Sequence, residues 1–278
     1  MIKISAFADE VSAGFTEQLE FLSANGIGYL ELRFIDGINI VDVDRNKWIY
    51  LKHLIDDYHI RVSAVASPIG KSCITDPFED EFVRFRHAVD IANLFETRLI
   101  RVFSYYPPSG GKIEDFRDEV LRRFILKASY LKGTDMIIVH ENEAGIYGHT
   151  APNCLDLVKA VNSQNLRLAY DPANFVWGDS ITNNVEECFS LLKDSVVHVH
   201  IKDWIVGSKD IGAFPGEGDA QIELLIEELE KANYRGFLTM EPHLSSGGQY
   251  GGMTTADQFE KAIALVRSFC NQYGLVEE

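Results

Sequence analysis

The sequence predicts an α/β protein of the (β/α)8 barrel class, folded as a single domain over residues 1–278. Three observations lead there. Eight short apolar runs, rich in β-branched and aromatic residues, alternate with longer amphipathic stretches along the whole chain, the order expected of parallel βαβ units. Eight such units suit a chain of 278 residues, because a closed barrel of this kind takes roughly 250 residues. No G-x-G-x-x-G follows the first run, which weakens the rival, an open doubly wound sheet holding a dinucleotide.

In order, the first strand is "IKISAF" (residues 2–7). A helix follows in which Phe15, Leu19 and Leu22 recur at helical spacing, with Asn25-Gly26 closing it. "YLELRF" (29–34) is the second strand and "NKWIYLKHLIDDY" (46–58) its helix. "RVSAVAS" (61–67) is the third. Asp76-Pro77-Phe78-Glu79 then reads as an N-cap, an N1 proline and a capping-box Glu for the helix ending in "IANLF". "RLIRVFS" (98–104) precedes a helix over 113–131. "MIIVHE" (136–141) precedes one over 150–161, and "LRLAYD" (166–171) one over 184–192. "VVHVHI" (196–201) precedes a helix over 222–232, and "FLTMEP" (237–242) one over 255–273. "SSGGQYGG" (245–252), directly after the last strand, reads as an active-face loop.

A formal net charge of −16 argues against nucleic acid and anionic membranes as partners. No apolar run approaches the roughly 20 residues of a membrane span, and "MIKISAFADEVS" lacks a leader pattern. Cys73, Cys154, Cys188 and Cys270 are scattered, as expected of reduced thiols in a cytoplasmic protein.

A barrel carries its chemistry at the C-terminal ends of its strands. Four consecutive strands end there in "VHENE", "YDPAN", "HVHIKD" and "MEPH". Side chains alternate with a period of two along a strand. One face therefore carries Val139, Glu141 and Glu143; the next Ala169 and Asp171; the next His198, His200 and Lys202; the last Thr239, Glu241 and His243. With those faces inward, Glu141, Asp171, His200 and Glu241 converge. Three carboxylates gathered near neutral pH need a cation, and a divalent metal supplies it. Taken singly, a His at a strand end or an Asp before Pro is more often a polar cap or turn residue; four adjacent strands in register carry the case. His198, two residues deeper, reads as a core histidine or a hydrogen-bonding support. His140 has the parity of the helix layer or rim, and His53, His59 and His87 fall in helical stretches.

"HENE" (140–143), "YDPANF" (170–175), "HIKD" (200–203), "PGEGD" (215–219) and "YRGFLTMEPH" (234–243) together resemble the xylose isomerase-like TIM-barrel superfamily, in its sugar phosphate isomerase/epimerase branch. That branch includes ketose 3-epimerases, hydroxypyruvate isomerases and inosose dehydratases. The resemblance implies that Glu141, Asp171, His200 and Glu241 ligate one divalent metal ion. An oxygen-rich set with one nitrogen suits Mn²⁺, with Mg²⁺, Co²⁺ or Zn²⁺ as alternatives. It also implies that Glu141 and Glu241 are the acid/base pair, moving a proton beside a metal-polarised carbonyl. Further candidates for contact with substrate are Glu143, Asn174, Lys202, Glu217 and His243. Lys202 is read either as an oxyanion stabiliser or as half of a rim salt bridge with Asp203 or Glu217. "SPIGK" (67–71) is the one stretch offered for a phosphate. Asn174 stands where several ketose epimerases and type IV AP endonucleases carry His, which argues against DNA repair; Val206 sits near the place of an Arg of the ketose 3-epimerases. The expected function is a metal-dependent isomerase or epimerase of a small sugar, keto-sugar or polyol. The alternatives are a dehydratase of inosose type and a non-catalytic sugar-binding barrel. The substrate is left open as to phosphorylation, and a homo-oligomer is left open too.

Overall fold

The computed structural model describes residues 1–209, 211–245 and 252–278. Eight parallel strands close into a barrel: β1 (Lys3–Ala6), β2 (Tyr29–Leu32), β3 (Arg61–Ala66), β4 (Leu99–Val102), β5 (Ile137–Glu141), β6 (Leu166–Tyr170), β7 (Val196–Ile201) and β8 (Phe237–Met240). Each pairs with its chain neighbours, and β1 closes the ring against β8. Every one of the eight apolar runs carries one of these strands. Two register shifts break the ladder: the β2–β3 pairing skips Ser63, and the β6–β7 pairing skips Val197. Such bulges re-aim side chains and concentrate near functional sites.

Helices α1 (Phe15–Ala24), α2 (Trp48–Asp57), α3 (Phe78–Leu94), α4 (Arg117–Tyr130), α5 (Ala151–Val161), α6 (Pro172–Asp179), α7 (Ser190–Leu192), α8 (Ile222–Lys231) and α9 (Ala256–Tyr273) connect them. Asn25-Gly26 closes α1 as expected, with Gly26 at φ +64. Thr255 opens α9 through a reciprocal capping box with Gln258. Three details differ from the sequence reading. Asp76 does not cap α3: its carboxylate accepts the Cys73 N–H at 3.0 Å, and Pro77 takes the cap position. Helix α6 was not anticipated; Asp171 caps it by accepting the Asn174 N–H at 3.1 Å, with Pro172 pre-set for the first turn. The 184–192 stretch is largely a π turn (Val185–Phe189), and at its start the Tyr170 hydroxyl donates to the Asn184 carbonyl and the Val185 N–H to Gln221.

A short hairpin, Phe34–Ile35 with Ile38–Asn39, turns at Asp36-Gly37, both at positive φ. Asp-Gly between apolar pairs is a strong hairpin signal, so "FIDGIN" announced this element unread.

The main core lies between barrel and helices, where Leu19, Phe85, Phe124, Leu225 and Phe259 are fully buried; each such side chain contributes about 1.5–3 kcal/mol. A smaller apolar cluster, Ala64, Leu99, Val139 and Ala169, comes from four consecutive strands, β3 to β6. Among the described residues no helix is long and apolar enough to cross a membrane.

Candidate metal centre

Glu141 ends β5, Asp171 directly follows β6, His200 is the penultimate residue of β7, and Glu241 directly follows β8. Each offers one ligating atom, and these four atoms all lie within 4.8 Å of one another. All four side chains are buried. His200 Nδ1 is 3.2 Å from Glu141 Oε1 and 3.5 Å from Glu241 Oε2. Lys202 Nζ stands 2.7 Å from Asp171 Oδ2 and 3.7 Å from Glu241 Oε2. The sequence thus placed Lys202 in the right neighbourhood, but not in a rim bridge: its partners are the cluster's own carboxylates.

Three cationic side chains missed or undervalued in the sequence hold this cluster. Arg33 donates to Glu241 Oε1 at 2.7 Å and to Asp9 at 2.8 Å. The Arg101 guanidinium is 3.2 Å from Glu141 Oε2. Lys202 is the third. Against them stand Glu141, Asp171, Glu241, Asp9, Glu10 and Glu31, so buried negative charge outnumbers fixed positive charge. The imbalance is visible in the protonation behaviour. Burial and the neighbouring Glu141 and Glu241 raise Asp171 to about 6, even though Lys202 pulls it down. Burial and Glu241 raise Glu10 to about 8. Burial opposes ionisation of Glu141 too, but His200 and Arg101 outweigh it and hold Glu141 at about 2. Burial works against a charged His200, yet Glu141 and Glu31 lift it well above the ordinary imidazole value.

The residues fit a divalent cation. Glu241 Oε2 and His200 Nδ1 are buried without a well-formed hydrogen bond, and Glu141 Oε2 and Asp171 Oδ2 are met only by the ion-pair contacts of Arg101 and Lys202. Three buried carboxylates and one imidazole converging from separate strands, with negative charge in excess around them, are the pattern a bound ion resolves.

The other expected site residues divide. Asn174 donates to the Asn142 carbonyl at 2.9 Å and reaches Glu141 Oε1 at 3.5 Å. His243 Nε2 lies 3.2 Å from Glu10 and 3.5 Å from Glu241. Glu143 pairs with Lys71, from the "SPIGK" stretch, at 2.8 Å. That stretch can lie there because Gly70 adopts φ +85, where a Cβ would collide with the Phe103 carbonyl at 2.0 Å. Glu217 is not brought to the cluster. Its side chain is 59% exposed and points to Lys261 at 3.6 Å, because the loop folds back on Asp203. The Asp203 carboxylate accepts four backbone N–H groups, from Trp204, Gly216, Gly218 and Ala220, at 2.8–3.0 Å.

His198 takes the deeper supporting position expected of it, bonded to Glu31 and Thr239. His140 faces the helix layer, packed on Phe124 and bonded to Ser104. The active-face loop expected at 245–252 falls largely on residues 246–251, outside the described residues.

Glu31, Arg33 and Arg101 escaped the sequence reading, although the signal existed. In "YLELRF" and "RLIRVFS" they are charged residues at alternate positions of apolar strands, the same parity argument that found Glu141 and His200.

Comparisons with known proteins agree with the barrel fold. A family model described as xylose isomerase-like TIM barrel matches residues 19–269. A 3-dehydroshikimate dehydratase from Bacillus anthracis is 22% identical over 189 residues, 68% of this chain; the match spans 66% of that relative's length, just under two thirds. Among solved structures, a D-tagatose 3-epimerase-like protein superposes with TM-score 0.77 at 18% identity, covering 98% of both chains. The probable 3-DHS dehydratase of petrobactin synthesis from Bacillus anthracis gives TM-score 0.75 at 18% identity, covering 96% of this chain and 99% of that one.

Proposed function

The chain belongs to the xylose isomerase-like TIM-barrel family, and from that premise we propose that it is a divalent-metal-dependent isomerase or epimerase of a small keto-sugar or related polyol. One observation carries this reading: three carboxylates and one imidazole from four consecutive strands, all buried, bring one ligating atom each to within 4.8 Å of the others. Glu141, Asp171, His200 and Glu241 would hold the ion; their oxygen-rich set with one nitrogen suits Mn²⁺, with Mg²⁺, Co²⁺ or Zn²⁺ as alternatives. When bound, such an ion supplies Lewis acidity that polarises a substrate carbonyl and acidifies the neighbouring C–H.

The chain's own residues do the rest. Glu141 and Glu241 come from strands three apart in the ring, so one can remove a proton from carbon and the other return it. Each is gripped on one oxygen by a guanidinium, Arg101 for Glu141 and Arg33 for Glu241, which fixes its orientation. Lys202, beside the Asp171 and Glu241 carboxylates, would hold a substrate oxygen as negative charge develops on it. Asn174, His243 and Glu143 are further candidates for contact with the substrate. Burial of the whole cluster excludes water and strengthens these charges' action on a substrate.

Dehydration is the second reading, favoured by the 3-dehydroshikimate dehydratase match. The same proton abstraction, followed by protonation of a leaving hydroxyl, expels water. A non-catalytic sugar-binding barrel is a weaker third reading, since it leaves the convergent donors unused. The four cysteines are all unpaired, which supports a reducing, cytoplasmic setting. The test is incubation of the Mn²⁺-loaded protein with ketoses, keto-inositols and 3-dehydroshikimate in D2O. Deuterium entering at carbon without loss of water identifies an isomerase or epimerase; loss of water identifies a lyase; inertness towards the whole panel would overturn both.

A further inference from the structure

We infer that Glu31 is a positioning residue: it accepts the Nε2–H of His200 and thereby presents Nδ1 of that ring to the cation. The inference rests on the functional reading above. His200 Nε2 lies 3.3 Å from Glu31 Oε1, while Nδ1 points the other way, toward Glu141 and Glu241. The second oxygen of Glu31 is fixed in turn. His198 Nε2 sits 2.5 Å from Oε2, and Thr239 Oγ1 is 3.0 Å from that same nitrogen. Glu31, His198, His200 and Thr239 are all fully buried, so no water competes for these bonds.

Glu31, His198 and His200 also bring three ligating atoms within 4.8 Å of one another, so this trio is a rival position for the ion. Hydrogen bonding separates the two. Glu31 Oε1, Glu31 Oε2, His198 Nε2 and His200 Nε2 are bonded to one another already, whereas Nδ1 of His200 faces the Glu141 and Glu241 carboxylates of the four-residue cluster. An imidazole that ligates a metal commonly gives its other N–H to a carboxylate, which sets the tautomer and raises ligand basicity. Two further contacts hold the ring in this pose: Phe7 meets it edge-on at 5.2 Å and His198 at 5.3 Å. Rotating the ring to offer Nε2 instead would strip Glu31 of a donor at a site closed to water. The polar layer below the cluster is thus a support for one ligand, and its residues come from β2, β7 and β8.

The intact protein tests this without mutation. In Zn²⁺-loaded, ¹⁵N-histidine-labelled protein, His200 is expected to show a metal-bound Nδ1 and a protonated Nε2 whose proton is protected from solvent. A protonated Nδ1 with zinc on Nε2 would overturn the inference. Glu31→Gln is then expected to weaken Zn²⁺ or Mn²⁺ binding by about 10–100-fold, with Glu31→Asp restoring part of the loss and circular dichroism confirming the fold. Zinc held through His200 with unchanged affinity in Glu31→Gln would overturn this inference alone. Zinc bound equally well by wild type and His200→Ala would overturn the functional reading and the inference with it.

Discussion

Two sides of the same barrel interior contrast sharply. Under β3 to β6 the filling is Ala64, Leu99, Val139 and Ala169, small and aliphatic, as expected where branched side chains pack a barrel in layers. Under β7, β8, β1 and β2 the buried side chains are His198, Thr239, Ser5 and Glu31, and at the border between the two sides the Ser5 hydroxyl meets that of Ser63 on β3 at 2.7 Å. An apolar filling of that second side would pack at least as well and avoid burying a carboxylate. The difference indicates that one side is built for cohesion and the other to orient the groups above it.

Four measurements test that division, in descending order of expected effect. Glu141→Gln and Glu241→Gln should each cut turnover by about 10²–10⁴-fold with only modest loss of metal; activity within about tenfold of wild type would remove both from acid/base duty. His200→Ala should lose the ion, seen by metal analysis, and with it the metal-dependent rise in thermal stability, worth about 2.7 kcal/mol at a ligand excess of 100 times Kd. On the cohesive side, Leu99→Ala should cost about 2–5 kcal/mol in denaturant unfolding while leaving metal affinity of the folded protein unchanged. Thr239→Val on the polar side should do the reverse, costing about 1 kcal/mol but measurably weakening the metal. If the two variants behave alike, the division fails.

The smallest effect concerns a buried charge outside the barrel. Glu81 on α3 pairs with Lys127 of α4 at 2.6 Å and accepts the Tyr105 hydroxyl at 2.5 Å. Burial alone would raise the Glu81 carboxyl, but Lys127 and Tyr105 outweigh it and lower it from 4.5. A depressed acid stabilises the fold above its unfolded value, and that contribution fades as pH falls through the folded one. Melting temperature should therefore drop faster on acidification below about pH 4.5 in wild type than in Glu81→Gln, with metal affinity at neutral pH unaffected.

The eight strands and the four converging donors were legible because both obey a period of two, and because each apolar run stops at a carboxylate or imidazole. The support beneath them was equally periodic, in Glu31, Arg33 and Arg101, but charged residues in the earlier strands end no run and so drew no notice. Glu217 was misplaced for the opposite reason: residues 211–220 carry no period that fixes a side chain's direction, and the loop's path follows from contacts such as those with Asp203. Lys202 had the right face, but one chain position cannot reveal whether its partner is a rim residue or Asp171, which lies 31 positions earlier. The helix after Asp171 was hidden because a carboxylate that caps and a carboxylate that binds an ion look alike in sequence.

Asp203 sits three residues beyond His200, and its side chain fastens the loop that returns through Gly216 and Gly218. At position 218 even a methyl group would meet that carboxylate at 2.2 Å. An alanine there would pry the fastening open, and the slack would travel back along the backbone to Lys202 and the imidazole. The loop after β7 and the end of β7 that carries His200 and Lys202 thus share one anchor, the Asp203 carboxylate.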